Sequence, residues 1–361
     1  MLARIEGLTG LRFLAAFGIL FHHFGGEIFG THAKVFLSSL SSCVSFFFVL
    51  SGFILVYAYQ STTRQVQARR FYVARFARVY PTYLLGMLIL VPPLLRHGAP
   101  YPDWSSWENI PLIGSSLLAL QAWIPRYANL LNPPSWSLSA EAFFYLGFPL
   151  FANHFRGLLF RRPLVAIATL WVVGTAFALL LEAALTGSRD IADMGTQFAS
   201  FSPLVRLPEF LMGMSLGALH ETWKPSRALA PTLLWVVGAA VLLPALWFGA
   251  SGTIWQTAFH NCLLSPLFCM IILGLARSDD AAARFLSTRP MVLLGEASYA
   301  LYILHVPAMY VYAKALRMVG IGSLSAATTL AYFAVAVLVS VAAHLWFERP
   351  LREAIRRKLT P

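Results

Sequence analysis

Apolar runs of membrane-spanning length recur along the whole chain, and this feature restricts the fold more than any other. A helix needs about 20 apolar residues to cross the hydrocarbon core of a bilayer. Only 12% of the residues are charged and 58% are apolar, a composition that argues against a soluble domain. We predict an all-α transmembrane bundle with about ten spans, near residues 8–29, 35–58, 79–97, 136–153, 164–184, 206–220, 231–249, 258–276, 291–313 and 325–347.

The positions of lysine and arginine predict the orientation of the bundle. With ten spans and a cytoplasmic N-terminus, the inner loops, the C-terminal tail and Arg4 hold 19 of the 27 Lys and Arg residues. Cytoplasmic loops of membrane proteins are rich in these residues. An eleventh span over 110–125 would move most of these charges outside, so we predict that this segment is interfacial or re-entrant. Both termini then face the cytoplasm.

The chain reads as one integral-membrane domain over 1–361, because we find no internal repeat and no fused soluble domain. Cys43, Cys262 and Cys269 lie within apolar stretches and lack the spacing of metal ligands or of a disulfide framework. We therefore expect no metal cofactor. The net charge of +12 is explained by the loop arginines and lysines, so we expect the lipid bilayer as a partner and no nucleic acid.

Ionisable residues interrupt the first predicted span, "RFLAAFGILFHH". Arg12 and His23 are eleven residues apart, which places them within about 20° of one helix face and about 16 Å apart along its axis. An ionisable residue inside a span is costly, so it marks a functional site by default. The structural alternative is that Arg12 reaches the inner interface and His23 bonds a neighbouring carbonyl.

The opening segment "GLTGLRFLAAFGILFHH" resembles the acyltransferase-3 family, whose members transfer acyl groups to hydroxyls within the membrane. The family's first helix carries an arginine and, after ten intervening residues, a histidine, which match Arg12 and His23. Further blocks resemble the family in the same order along nearly the whole chain. They are "SFFFVLSGFIL" (45–55), "RRFYVARFARVYPTYLL" (69–85), "PPSWSLSAEAFFYLGFP" (133–149), "LGEASYALYILHVP" (294–307) and "FERP" (347–350).

The resemblance implies an acyl-CoA donor that arrives from the cytoplasm, with acetyl-CoA as the default. Arg75 and Arg78 are three residues apart, so both can point at one ligand from a helix. The planar guanidinium donates paired hydrogen bonds that suit phosphate. We expect Arg75 and Arg78, together with Arg12, to hold the donor. Arg69 and Arg70 are better explained as topology signals.

A hydroxyl acceptor needs a base, and a neutral imidazole titrates in the right range. His23 is the predicted general base, and Glu141 is predicted to orient it, although a helix–helix hydrogen bond is an equally plain use of Glu141. His22, His305 and Trp136 are predicted to contact the acceptor. Direct transfer and an acyl-histidine intermediate both fit the sequence.

These features predict a membrane O-acetyltransferase of the bacterial cytoplasmic membrane that acylates a glycan, such as an exopolysaccharide or lipopolysaccharide repeat unit. A second enzymatic reading is acylation of a secreted small molecule such as a macrolide. A transporter would also bury charges among ten spans, but transporters commonly show internal repeats or paired broken helices. A membrane scaffold would not need Arg12 and His23 on one face.

Overall fold

The computed structural model describes residues 5–30, 33–59, 66–98, 105–185, 194–225, 227, 229–248 and 255–359. Within these residues all regular structure is helical. The α-helices are α1 (Glu6–Phe24), α2 (Gly26–Phe29), α3 (Lys34–Ser39), α4 (Cys43–Tyr59), α5 (Ala68–His97), α6 (Asn109–Leu117), α7 (Trp136–His154), α8 (Arg156–Phe160), α9 (Pro163–Leu185), α10 (Met194–Phe201), α11 (Pro203–Thr222), α12 (Ala230–Phe248), α13 (Trp255–His260), α14 (Ser265–Leu275), α15 (Ala281–Leu286), α16 (Arg289–Met318), α17 (Ala326–Ala343) and α18 (Arg349–Leu359).

Short helical pieces of other types connect these helices. A π-helical turn, His344–Glu348, joins α17 to α18. The remaining pieces are the 3-10 turns Leu40–Ser42, Ser106–Glu108, Gln121–Trp123, Pro125–Tyr127, Pro133–Ser135 and Cys262–Leu264.

Helical segments occupy all ten predicted spans, and seven of them are long and apolar enough to cross a membrane. The other three predicted spans coincide with α7, α11 and α14. The first two of these carry charged residues, and α14 has only 11 residues. The all-α architecture with several candidate membrane-spanning helices is therefore confirmed, while the count of ten spans and the cytoplasmic termini stay predictions. The seven segments are Glu6–Phe24, Lys34–Tyr59, Ala68–His97, Pro163–Ala184, Ala230–Trp247, Arg289–Met318 and Ala326–Leu359.

Two predicted boundaries differ from the structure in ways that affect the site. The first helix ends at Phe24, before two consecutive glycines, and not near residue 29. The helix predicted to begin at residue 79 begins eleven residues earlier, at Ala68, so that Arg75 and Arg78 are both helical. Segment 110–125 forms the nine-residue α6 and 3-10 turns. At about 14 Å, α6 is too short to cross a bilayer.

Glycine contacts bring two pairs of helices into unusually close approach. A Cβ atom on Gly213 of α11 would lie 2.0 Å from the carbonyl oxygen of Val49 in α4. A Cβ atom on Gly295 of α16 would lie 1.8 Å from the carbonyl oxygen of Thr9 in α1. Small residues at such crossings let backbones pack directly, which is how helices associate within lipid. The first contact packs α11 against α4, and the second packs α16 against α1.

A buried ionic pair ties α11 to the segment that precedes α14. Arg206 and Glu209 are both fully buried, and Arg206 Nη1 lies 3.5 Å from Glu209 Oε1. The same nitrogen donates to the side-chain oxygen of Asn261 at 2.6 Å and to the backbone carbonyl of His260. Leaving one buried charge without its partner is strongly destabilising, so we interpret this cluster as structural.

Candidate active site

A cavity of about 640 Å³ lies among α1, α4, α5, α7 and α16. One end is lined by Ile5, before α1, and by Tyr57, near the end of α4. The other end is lined by Val44, at the beginning of α4, and by Tyr302. Because α1 and α4 run in opposite directions between these ends, the cavity extends along the helices through much of the bundle.

The three arginines predicted to hold the donor all line this cavity. Arg12 is contributed by α1, and Arg75 and Arg78 by the early turns of α5. The Arg75 guanidinium carbon lies 5.8 Å from the ring centres of Phe71 and Tyr145, and its Nε is buried without a hydrogen-bond partner. In the described part of the chain, none of the three arginines forms an ion pair within 4 Å.

Glu141 also lines the cavity, but its contacts differ from the predicted ones. Ser51 Oγ donates to Glu141 Oε1 at 3.0 Å, and the Tyr145 hydroxyl donates to the same oxygen. The predicted contact between Glu141 and His23 is not formed. Because α1 ends at Phe24, His23 lies in the last turn of its helix, whereas Glu141 lies in the second turn of α7 beside the middle of α4.

The structure pairs His23 with another histidine. His305 Nε2 lies 3.2 Å from His23 Nδ1, and the two ring centres are 4.9 Å apart. His305 Nδ1 lies 2.8 Å from the carbonyl oxygen of Tyr302, which can only accept, so this nitrogen carries a proton. In the neutral ring, His305 Nε2 is then an acceptor, and His23 Nδ1 is the donor.

This hydrogen-bond chain determines which nitrogen of His23 has a free lone pair. His23 Nδ1 also lies 3.0 Å from the carbonyl oxygen of Ile19, a second acceptor. Two acceptors facing Nδ1 fix the proton there in the neutral ring, which leaves His23 Nε2 unprotonated. An unprotonated Nε2 is the form that a general base requires.

The other two residues predicted to contact the acceptor have different surroundings. His22 Nδ1 lies 2.8 Å from the carbonyl oxygen of Leu37, so this ring is hydrogen-bonded to α3. The His22 ring also packs against the His23 ring. Trp136 is only 5% exposed, and it packs against the rings of Phe48 and Phe201 and against Arg206. It does not line the cavity formed by the described residues, whereas the next two residues, 137 and 138, do.

An aromatic layer separates the histidine pair from the cavity. Tyr302 and Phe47 both line the cavity, and their ring centres are 5.8 Å apart. The Tyr302 ring centre is 6.3 Å from that of His305, and its hydroxyl lies 2.8 Å from Ser137 Oγ. The cavity therefore holds the arginines and Glu141, and the histidines lie just beyond its end.

Several polar residues of the cavity were missed by sequence reasoning. The hydroxyls of Ser51, Tyr145, Ser137 and Tyr302 all contribute to its hydrogen bonds. One sequence signal was available, because residues four apart share a helix face and Tyr145 follows Glu141 by four. Nothing comparable marks Ser51 as a partner of Glu141, which lies 90 residues away.

Comparison with known proteins identifies the family. A family model described as an acyltransferase domain matches residues 5–345. The chain belongs to the acyltransferase-3 family. Membership, together with seven helices apolar and long enough to cross a bilayer, makes it an integral membrane acyltransferase. No group of three or more His, Cys, Asp or Glu residues in the described ranges is arranged to hold a metal ion.

Three named relatives match most of the chain. "Acyltransferase MdmB" of Streptomyces mycarofaciens is 29% identical, covering 98% of this chain and 93% of the relative. "Exopolysaccharide production protein ExoZ" of Rhizobium meliloti (strain 1021) is 28% identical over 88% of this chain and 91% of its own length. "O-acetyltransferase OatA" of Staphylococcus aureus (strain NCTC 8325 / PS 47) is 25% identical over 84% of this chain and 50% of its own. No solved structure gives a significant match.

Proposed function

We propose that this protein moves an acyl group, acetyl by default, from cytoplasmic acyl-CoA to a hydroxyl of a bacterial glycan. The observation that supports this most is one cavity with three arginines at its walls and a histidine pair beyond its end. The names of two relatives, an exopolysaccharide production protein and an O-acetyltransferase, support the glycan and the acetyl group. The proposed location is the bacterial cytoplasmic membrane.

The arginines suit the phosphates of acyl-CoA. Arg12, Arg75 and Arg78 bring three positive charges to a cavity whose described lining contains one carboxylate, Glu141. The buried Nε of Arg75 has no partner among the described residues, so a ligand oxygen can accept from it. Guanidinium groups bind phosphate in paired hydrogen bonds, and unpaired ones need not first break an ion pair.

The thioester then reaches toward His23. Arg12 and His23 are about 16 Å apart along α1, a separation that an extended pantetheine arm can bridge. The thioester must pass the layer formed by Phe47 and Tyr302, so we propose that these rings turn aside when the donor binds.

His23 Nε2 is the proposed base. It takes the proton from the acceptor hydroxyl as the hydroxyl oxygen attacks the thioester carbonyl carbon. When the carbon–sulfur bond breaks, the leaving thiolate takes that proton from the imidazolium, so the imidazole returns to its starting state. His305 Nε2 accepts the hydrogen bond from His23 Nδ1–H and thereby keeps the lone pair of His23 Nε2 free. This is the orienting role that was predicted for Glu141.

Glu141 has a different proposed role. Its carboxylate accepts from Ser51 and Tyr145, which fixes both hydroxyls at the wall of the donor cavity. It also lies within electrostatic range of Arg12. We propose that Glu141 positions the donor-side side chains and balances part of their positive charge.

The test is acetyl transfer by the purified protein in detergent. Radiolabelled acetyl-CoA is supplied with a panel of glycan and small-molecule acceptors, including a macrolide, to wild type, His23→Ala and His154→Ala. His154 is an exposed histidine at the end of α7 and serves as the matched control. We expect label on an acceptor with wild type and His154→Ala only. Equal transfer by His23→Ala would disprove the base, and failure of wild type to bind acetyl-CoA would disprove the donor.

A further inference from the structure

A second cavity, of about 490 Å³, lies between the last turns of α5 and α16. Among the described residues, four basic side chains and six uncharged ones line it, and no acidic side chain does so. The basic residues are Arg96, His97, Lys314 and Arg317. Arg75 and Arg96 lie near opposite ends of α5, a helix about 45 Å long, so this cavity opens at the membrane face opposite the donor arginines.

The basic side chains in this second cavity have no partner in the described ranges. No hydrogen bond or ion pair joins the side chains of Arg96, His97, Lys314 or Arg317 to another described residue. Other exposed arginines do pair, as Arg284 does with Asp279 at 3.7 Å. Like charges repel, so a gathering of unpaired cations is unfavourable unless an anion joins it.

The fold holds these side chains together. Helices α5 and α16 run in parallel, since the Tyr299 hydroxyl donates to the Val79 carbonyl at 2.7 Å in their first halves and their last turns line the same cavity. Lys314 and Arg317 are three residues apart and thus share a face of α16. Arg96 and His97 form the last turn of α5. In the predicted orientation this cavity lies at the outer face, where arginine and lysine are normally scarce.

Exposed apolar residues flank the basic cavity. Leu95 is 59% exposed on α5, and Val311 and Met318 are 52% and 80% exposed on α16. On helices that cross a bilayer, such residues face lipid tails. A ligand with an anionic head and an apolar tail would satisfy both surfaces at once, whereas a free sugar phosphate would use only the basic one.

The basic cavity is also close to His305, the hydrogen-bond partner of the proposed base. Met309 lines it and lies four residues beyond His305 on α16, a rise of about 6 Å. We propose that this cavity binds a lipid-borne phosphate or diphosphate at the outer face, and that the group is the anchor of the acceptor glycan. The inference rests on the proposed function for the identity of the acceptor. The phosphate site itself does not depend on it.

Binding of farnesyl diphosphate to the full-length protein in neutral detergent tests the site, with farnesol as the uncharged analogue. The variants are R96Q/K314Q/R317Q, Lys314→Gln alone and Lys34→Gln, which removes an exposed cation from α3 outside the cavity. We expect the triple variant to bind at least about 10-fold more weakly, because each charge-assisted hydrogen bond contributes strongly. Lys314→Gln should lose part of the affinity, and Lys34→Gln none.

Phosphatidylglycerol in the same assay distinguishes the two sources of phosphate. If phosphatidylglycerol fails to displace farnesyl diphosphate, the result supports an acceptor anchor. If phosphatidylglycerol displaces it as well as unlabelled farnesyl diphosphate does, the phosphate site stands but belongs to bilayer lipid, and the acceptor role is overturned. Unchanged affinity in the triple variant, or equal binding of farnesol, would overturn the site itself. Acetyl-CoA binding, measured on the same samples, reports separately on the donor site. Failure of the proposed function can therefore be distinguished from failure of the phosphate site.

Discussion

His305 Nε2 lies 3.2 Å from His23 Nδ1, although the two residues are 282 positions apart in the chain. The Tyr332 hydroxyl donates to the carbonyl of His305, and the Asn132 amide donates to the carbonyl of Ile303 at 3.1 Å. The latter carbonyl lies four residues before Pro307, which has no N–H to offer it. These contacts hold the backbone that carries His305 and so hold the ring that orients the base.

Replacing His305 tests its role as a positioning residue. We expect His305→Ala to lower kcat by about 10²-fold, within the contribution of a general base, because His23 loses the acceptor that fixes its tautomer. The KM for acetyl-CoA should hardly change, since His305 does not line the donor cavity. His305→Gln retains an acceptor and should restore part of kcat. Equal kcat for the Ala and Gln variants would contradict a hydrogen-bonding role.

Arg12 tests the donor cavity. Arg12→Lys keeps the charge but loses the planar donor pair, so we expect acetyl-CoA to bind about 10-fold more weakly, the loss of one charge-assisted hydrogen bond. Arg70→Gln is the control, because Arg70 is exposed on α5 outside the cavity. Calorimetric titration of the detergent-solubilised protein measures both. Full affinity in Arg12→Lys would show that Arg12 does not bind phosphate.

The glycine contact between α4 and α11 predicts a stability effect. Gly213→Ala would place a Cβ atom 2.0 Å from the Val49 carbonyl oxygen, and the two helices must separate to admit it. Overpacking of this kind costs about 1–3 kcal/mol or more. Gly114→Ala is the matched control, because Gly114 is helical and has open space around it. Thermal unfolding should show a lower Tm for Gly213→Ala only.

Asp280 predicts a pH dependence outside the spans. Burial opposes its ionisation, but hydrogen bonds from Ser278, the Ala283 amide, Trp235 and Thr232 outweigh burial and hold the pKa of Asp280 below its ordinary value. A carboxylate with a lowered folded pKa stabilises the fold above its unfolded pKa of about 3.9, and this stabilisation is lost as the pH falls further.

The Asp280→Asn variant should therefore be less stable than wild type at pH 6, and the difference in Tm should narrow below about pH 4. Asp279→Asn provides the comparison, because the Asp279 side chain is 92% exposed and pairs with the exposed Arg284 at 3.7 Å. A Tm difference between wild type and Asp280→Asn that is constant from pH 6 to pH 3 would contradict a lowered pKa.

Some boundaries were predictable and others were not. The glycines at 25 and 26 signalled the end of α1 at Phe24, but the apolar residues after them extended the predicted span. The beginning of α5 was missed because its arginines lower the local hydropathy, although the chain stays helical from Ala68. Arginine is a good helix former, so the helix continues past the apolar part that a hydropathy count detects.

The sequence alone determined which segments form membrane helices and which residues share a face of one helix. Apolar runs required membrane helices, and the eleven-residue spacing placed Arg12 and His23 on one face of α1, because helical periodicity fixes neighbours within a helix. Only the tertiary structure decided that His23 meets His305 and that Glu141 meets Ser51 and Tyr145. Residues on different helices meet according to how closely and in which register the helices pack. For α1 and α16 that register depends on the backbone contact at Gly295.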